Sequence, residues 1–133
     1  MRFVDTSFWV ALGSFRDDHH AEARALWDDR APTLITTNHV VGETWTFLRR
    51  RASHESAMRF LERLQKSQRV DVVHVDPSTE AEALAWLRRH DERRYSFVDA
   101  TSFAVMRQSR VTEALAFDGD FTAAGFVELR STP

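Results

Sequence analysis

The sequence predicts an α/β fold: a three-layer α/β/α sandwich with a central parallel sheet. Three observations predict it. Short apolar runs alternate with longer stretches of helical spacing along the 133 residues. Most successive runs are separated by one or two helices, the length that parallel crossovers need and hairpins do not. Only four Gly and three Pro occur, with no repeat or low-complexity linker, so one domain spanning 1–133 is expected.

The elements follow in order. Residues 2–5 read as a short buried strand, and Ser7 to Phe15 as a helix. Asp17 and Asp18 lead into a second helix, His19–Arg30, with Ala21, Ala25 and Leu26 as its apolar stripe. Thr33–Thr36 is a strand after Pro32. Asn38 offers a cap to a helix reaching about Arg51, and Ser53 to the next, whose stripe is Met58, Leu61 and Leu64. Val70–Val75 is the most β-rich run. Pro77 at a first helical position opens a helix to about His90. Ser96 caps another to about Gln108. Ala114–Phe117 and Phe126–Leu129 are short strands, separated by a turn-like Asp118-Gly119-Asp120 and a stop at Gly125.

Composition narrows the function classes. With 43% hydrophobic and 29% charged residues the balance is globular. No cysteine is present, which excludes disulfides and thiolate-bound metal and suits a reducing compartment. The start lacks the pattern of a signal peptide, and no apolar run is long enough for a membrane span. A soluble cytoplasmic protein without membrane association is expected. The net charge of −2 gives no overall attraction for nucleic acid. Arginines nonetheless cluster at Arg49–Arg51 and at Arg88, Arg89, Arg93 and Arg94, either as solvated helix faces or as phosphate contacts.

Four acids carry the chemistry. In an open parallel sheet, ligands bind beyond the carboxyl ends of the strands. Asp5 and Asp118 stand at such ends, Asp99 in the first turn of a helix, and Glu43 at the margin of an apolar helical arc. Each has a local explanation: Asp5 as a helix cap, Asp99 in a Ser96-x-x-Asp99 capping box, Asp118 and Asp120 as turn residues, Glu43 as a helix-edge glutamate. Thr6 and Ser7 already supply capping oxygens, so Asp5 is read as a ligand rather than a cap. Carboxylates brought together repel unless a cation joins them, and a hard ion such as Mg²⁺ prefers oxygen ligands. The six histidines show neither HxH nor HExxH spacing, and no nucleophile elbow or phosphate-binding glycine loop occurs. The four tryptophans read as core or interface anchors.

From the opening FVDTSFWVAL to the closing FDGDFTAAGF, the chain resembles a PIN-domain protein, specifically the VapC-type toxin of bacterial toxin–antitoxin pairs. The matching pieces are Asp5 with Thr6-Ser7 after the first strand, Glu43 in the third helix, Ser96-Phe97-Val98-Asp99-Ala100, and Asp118-Gly119-Asp120-Phe121. The resemblance implies a Mg²⁺- or Mn²⁺-dependent endoribonuclease, acting on an RNA substrate, forming a homodimer and silenced by a cognate antitoxin protein. It implies Asp5, Glu43, Asp99 and Asp118 as the catalytic set. Asp5, Asp99 and Asp118 would bind metal, with Thr6 and Asp120 secondary. Ala116 departs from the Thr or Ser that many relatives carry two residues before the last acid, which leaves one polar contact open. The other readings are a DNA- or structure-specific nuclease of the same superfamily, a non-catalytic interaction module, and a phosphoryl-accepting domain. The last would want a second acid or a lysine beside Asp5, where Thr6 and Ser7 stand instead.

Overall fold

A computed structural model describes residues 1–28 and 33–131. Five parallel strands form one sheet in the order β3-β2-β1-β4-β5. They are β1 (Arg2–Val4), β2 (Leu34–Thr37), β3 (Val70–Val73), β4 (Glu113–Leu115) and β5 (Val127–Glu128). The helices are α1 (Thr6–Gly13), α2 (His20–Asp28), α3 (Asn38–Arg51), α4 (His54–Lys66), α5 (Pro77–Arg89), α6 (Phe97–Ser109) and α7 (Asp120–Ala123).

Strand order fixes the layers. The chain steps outward from β1 to β2 to β3, then jumps back past β1 to β4 and on to β5. Right-handed crossovers therefore place α1–α4 on one face and α5–α7 on the other. The packing agrees: α1 contacts α2, α3 and α4, while α5 lies against α6 and α6 against α7. The strand direction of travel reverses between β1 and β4, opening a crevice beyond their carboxyl ends.

β1 sits at the sheet centre, with Phe3 opposite both Ile35 and Ala114. Buried on both faces, β2 reads as continuous burial rather than alternation. Thr36 escapes the cost of a buried hydroxyl by donating to Val4 O at 2.8 Å. Phe3, Phe8, Trp9, Phe103 and Phe121 are fully buried. Phe121 meets Phe3 on the sheet and Phe103 on α6 at ring-centroid distances of 5.9 and 5.0 Å, so the short α7 is anchored by one aromatic.

Several sequence expectations need correction. The α2 stripe is Ala23 and Leu26, with Ala21 and Ala25 exposed; the expected end at Arg30, and Pro32, lie outside the described residues. In α4 the buried positions are Ala57, Phe60 and Leu64, while Met58 stands at the surface. The 58/61/64 reading took a spacing that drifts around the helix, whereas 57/60/64 stays on one face. Thr37, not Asn38, caps α3 by accepting from Val40 N. Asn38 instead accepts from Val75 N at 2.9 Å, tying the exit of β3 to that of β2. Asp120, read as the end of a turn with Asp118 and Gly119, also opens the short helix α7, Asp120–Ala123, which the sequence reading did not assign.

Candidate active site

The crevice between β1 and β4 gathers the acids. Asp5 leaves β1 with its N–H bonded to Leu115 O of β4 at 3.1 Å. Its Oδ2 accepts from Ser7 N at 3.2 Å and from Ser7 Oγ at 2.8 Å, so Asp5 is the N-cap of α1. This overturns the expectation that Thr6 or Ser7 takes that role. Ser7 Oγ is engaged further, accepting from Phe117 N at 3.0 Å. Capping therefore aims Asp5 at the crevice. Its carboxyl is held well above the ordinary carboxylate range, first by burial and then by the charge of Asp118.

Asp99 arrives on α6 from the opposite layer. Its Oδ2 accepts from Ser96 N at 2.9 Å and its N–H donates to Ser96 Oγ at 2.9 Å, a complete capping box. Only 8% of the residue is exposed. Burial pushes its carboxyl up to about 6, opposed by the Ser96 bond and aided by the charges of Asp120 and Asp118.

Asp118 and Asp120 follow β4 around Gly119, whose φ of 82° suits a residue without a side chain. Carboxylate oxygens of Asp99, Asp118 and Asp120 lie within 4.8 Å of one another. The carboxyl of Asp118 is raised by partial burial and by Asp120 and Glu128. Asp120 differs: Arg93 Nε contacts its Oδ1 at 2.5 Å, and Arg93 Nη2 donates to Asp118 O at 3.0 Å. Asp118 lines the cleft with Asp5 and Asp99, while Asp120, which belongs to the 4.8 Å group as Asp5 does not, is paired with Arg93. Arg93 thus leaves the solvated arginine cluster of the sequence reading and becomes the brace of the loop.

The cleft has a volume of about 540 Å³ and includes Thr6 and Glu43 in its lining. Glu43 is exposed on α3; it also lines an adjoining groove of about 530 Å³ with Phe47, Arg50 and Arg51. Thr6 Oγ1 is buried without a hydrogen-bond partner. A cluster of hard oxygen donors, with a stranded hydroxyl at its margin, suits a hard divalent cation and its waters. His19 and Phe117 also line the cleft. The sequence reading passed over both, since neither lies in a motif and their meeting is a product of the fold.

A methyl group at position 119 would meet Arg93 Nη2 at 3.0 Å and force a left-handed backbone on an L-residue. Gly119→Ala is expected to destabilise the protein by about 1–2 kcal/mol. Denaturant unfolding checks this; an unchanged midpoint would mean that the loop relaxes freely.

A family profile for the PIN domain matches residues 2–127. The chain belongs to the PIN-domain family. Among PIN-domain relatives, it is similar to the 23S rRNA-specific endonuclease VapC20 of Mycobacterium tuberculosis, at 55% identity over 130 residues covering 98% of each chain. It is also similar to a VapC ribonuclease of Archaeoglobus fulgidus, at 27% identity over 124 residues, 90% of this chain and 78% of that one. The crystal structure of M. tuberculosis VapC20, described as a sarcin–ricin-loop-cleaving toxin, superimposes with a TM-score of 0.94 at 53% identity, covering 98% of this chain and 100% of that one.

Proposed function

We propose that this chain is a metal-dependent endoribonuclease, the toxin of a toxin–antitoxin pair, and that it cuts 23S rRNA at the sarcin–ricin loop. One observation carries the chemistry: Asp5, Asp99 and Asp118 line one cleft, each carboxyl raised first by burial and then by neighbouring carboxylates. The similarity to VapC20, named as a 23S rRNA-specific, sarcin–ricin-loop-cleaving protein, supports the target. Mg²⁺ is the proposed ion, with Mn²⁺ as a substitute. A cognate antitoxin, a homodimer and a cytoplasmic location belong to the same reading. Among the described residues no helix is long and apolar enough to cross a membrane.

Asp99 and Asp118 would hold the cation, and Asp5, its carboxylate oriented by two Ser7 donors, would complete the set. Bound there, the ion would activate water and offset charge building on the phosphate. Glu43, in the lining of the same cleft, accepts a hydrogen bond from the attacking water and turns its lone pair toward phosphorus. Thr6 Oγ1 supplies a further hydrogen bond to water in the cleft. Asp120, paired with Arg93, keeps the Asp118 loop in place. In-line hydrolysis by water leaves a 5′-phosphate and a 3′-hydroxyl. A basic side chain from the antitoxin would enter the acidic cleft as an inhibitor.

Purified protein incubated with 23S rRNA, a sarcin–ricin-loop oligoribonucleotide and the matching DNA tests this. Cleavage of the RNAs is expected with Mg²⁺ or Mn²⁺ and none with a chelator; mapped 5′ ends locate the cut. Equal cutting of DNA would favour a broader nuclease. No metal-dependent turnover of any substrate would leave only an interaction module.

A further inference from the structure

The cleft lining also carries a stack of rings that no hydrolytic step uses. His19 lies flat over Phe117, with centroids 4.5 Å apart and planes 3° from parallel. Phe117 in turn lies near-parallel to the fully buried Phe8, at 5.9 Å and 20°. A column therefore runs from the core to an exposed imidazole at the lip of the cleft.

The column is fixed at both ends. His19 N–H donates to Asp17 Oδ1 at 2.8 Å, and His19 O accepts from Ala23 N at 2.9 Å, which seats the residue at the start of α2. Phe117 is held by its N–H bond to Ser7 Oγ. The Arg130 guanidinium lies 4.9 Å from the Phe117 centroid and donates to Ala116 O at 2.8 Å. Such a preorganised ring needs little ordering when a second flat group lands on it. Phe117 directly precedes Asp118, so whatever stacks here is a near neighbour of any phosphate at the acids.

We infer that His19, laid on Phe117, is the shelf of a nucleobase-binding subsite that grips an unstacked base of single-stranded RNA beside the scissile phosphate. Its occupant is a base rather than a phosphate, because the shelf presents a ring face beside an acidic cleft. Stacking tolerates every base and carries no sequence code by itself. His19 acts as a substrate-positioning residue: it splays the strand so that the phosphate turns toward Asp99 and Asp118. This deepens the ribonuclease reading and rests on it.

The test compares the parent protein, His19→Ala and His19→Phe on the same oligoribonucleotide, with single abasic nucleotides placed in turn on either side of the cut. His19→Ala should lose about 5- to 150-fold in kcat/KM, mostly through KM, the range expected of one base–aromatic stack. His19→Phe, which keeps a flat ring and discards the ring nitrogens, should recover most of that loss. At one abasic position, parent and His19→Ala should become equally slow. Melting curves confirm that both variants fold. Full activity in His19→Ala overturns the subsite. So does a His19→Phe as impaired as His19→Ala, since the ring nitrogens would then matter as hydrogen-bond or proton-transfer groups. Failure of the parent itself to cut RNA would instead overturn the ribonuclease reading.

Discussion

Asp99→Asn is expected to lose RNA cleavage by more than about 100-fold while melting no lower than the parent protein in the absence of metal. The two halves of this result come from the same geometry. Asparagine keeps an oxygen able to accept from Ser96 N, so the capping box of α6 persists. What disappears is a buried negative charge facing Asp118 and Asp120, a feature that burdens the empty fold. Partners one layer outside a metal centre already change affinity or activity by about 10- to 100-fold, so a direct ligand should exceed that. A calorimetric melt and a cleavage assay on one preparation measure both. Retained cleavage, or a large fall in melting temperature, would show that Asp99 serves only its helix.

Acidification should stabilise the metal-free protein, and a divalent cation should remove that dependence. An aspartate in the unfolded chain has a pKa near 4, whereas Asp99 in the fold is pushed up to about 6. The folded state therefore binds this proton more tightly. Its stabilising contribution is complete below about pH 4 and is lost as the pH rises through about 6. The difference corresponds to on the order of 3 kcal/mol. Asp5 and Asp118 shift in the same direction. Glu22, Asp76 and Glu92 shift the opposite way, so what they contribute fades only at still lower pH. Between pH 7.5 and 5 about half of that, roughly 1.4 kcal/mol, is gained at Asp99, and the melting temperature should climb by roughly 5 °C for a chain of this size. At pH 7.5, Mg²⁺ or Mn²⁺ at 100 times its Kd should restore about 2.7 kcal/mol. A melting temperature flat in pH without metal would contradict the crowding of these carboxyls.

The sequence carries the fold more completely than the site, for a physical reason. Apolar periodicity and caps are local, so Ser53, Pro77 and Ser96 mark their helices correctly. Edges of short strands are not local: β4 stops at Leu115 rather than at Phe117, because Phe117 turns to meet Ser7 and His19. The acids were legible as strand-end and first-turn residues, but not their division of labour. Asp5 and Asp99 cap helices and face the cleft at once, so the local and the functional readings are both true of the same atoms. Arg93 and Asp120 are 27 residues apart, and His19 meets Phe117 across most of the chain. No pattern along a single sequence encodes such meetings.

The place of β1 bears on how this protein is made. Strand β1 waits at the middle of the sheet for β4, which is synthesised only after α6. Such distant pairings fold slowly. A polypeptide arrested before Glu113 lacks one flank of that strand and also lacks Asp118. Products terminated before that point therefore carry no assembled cleft.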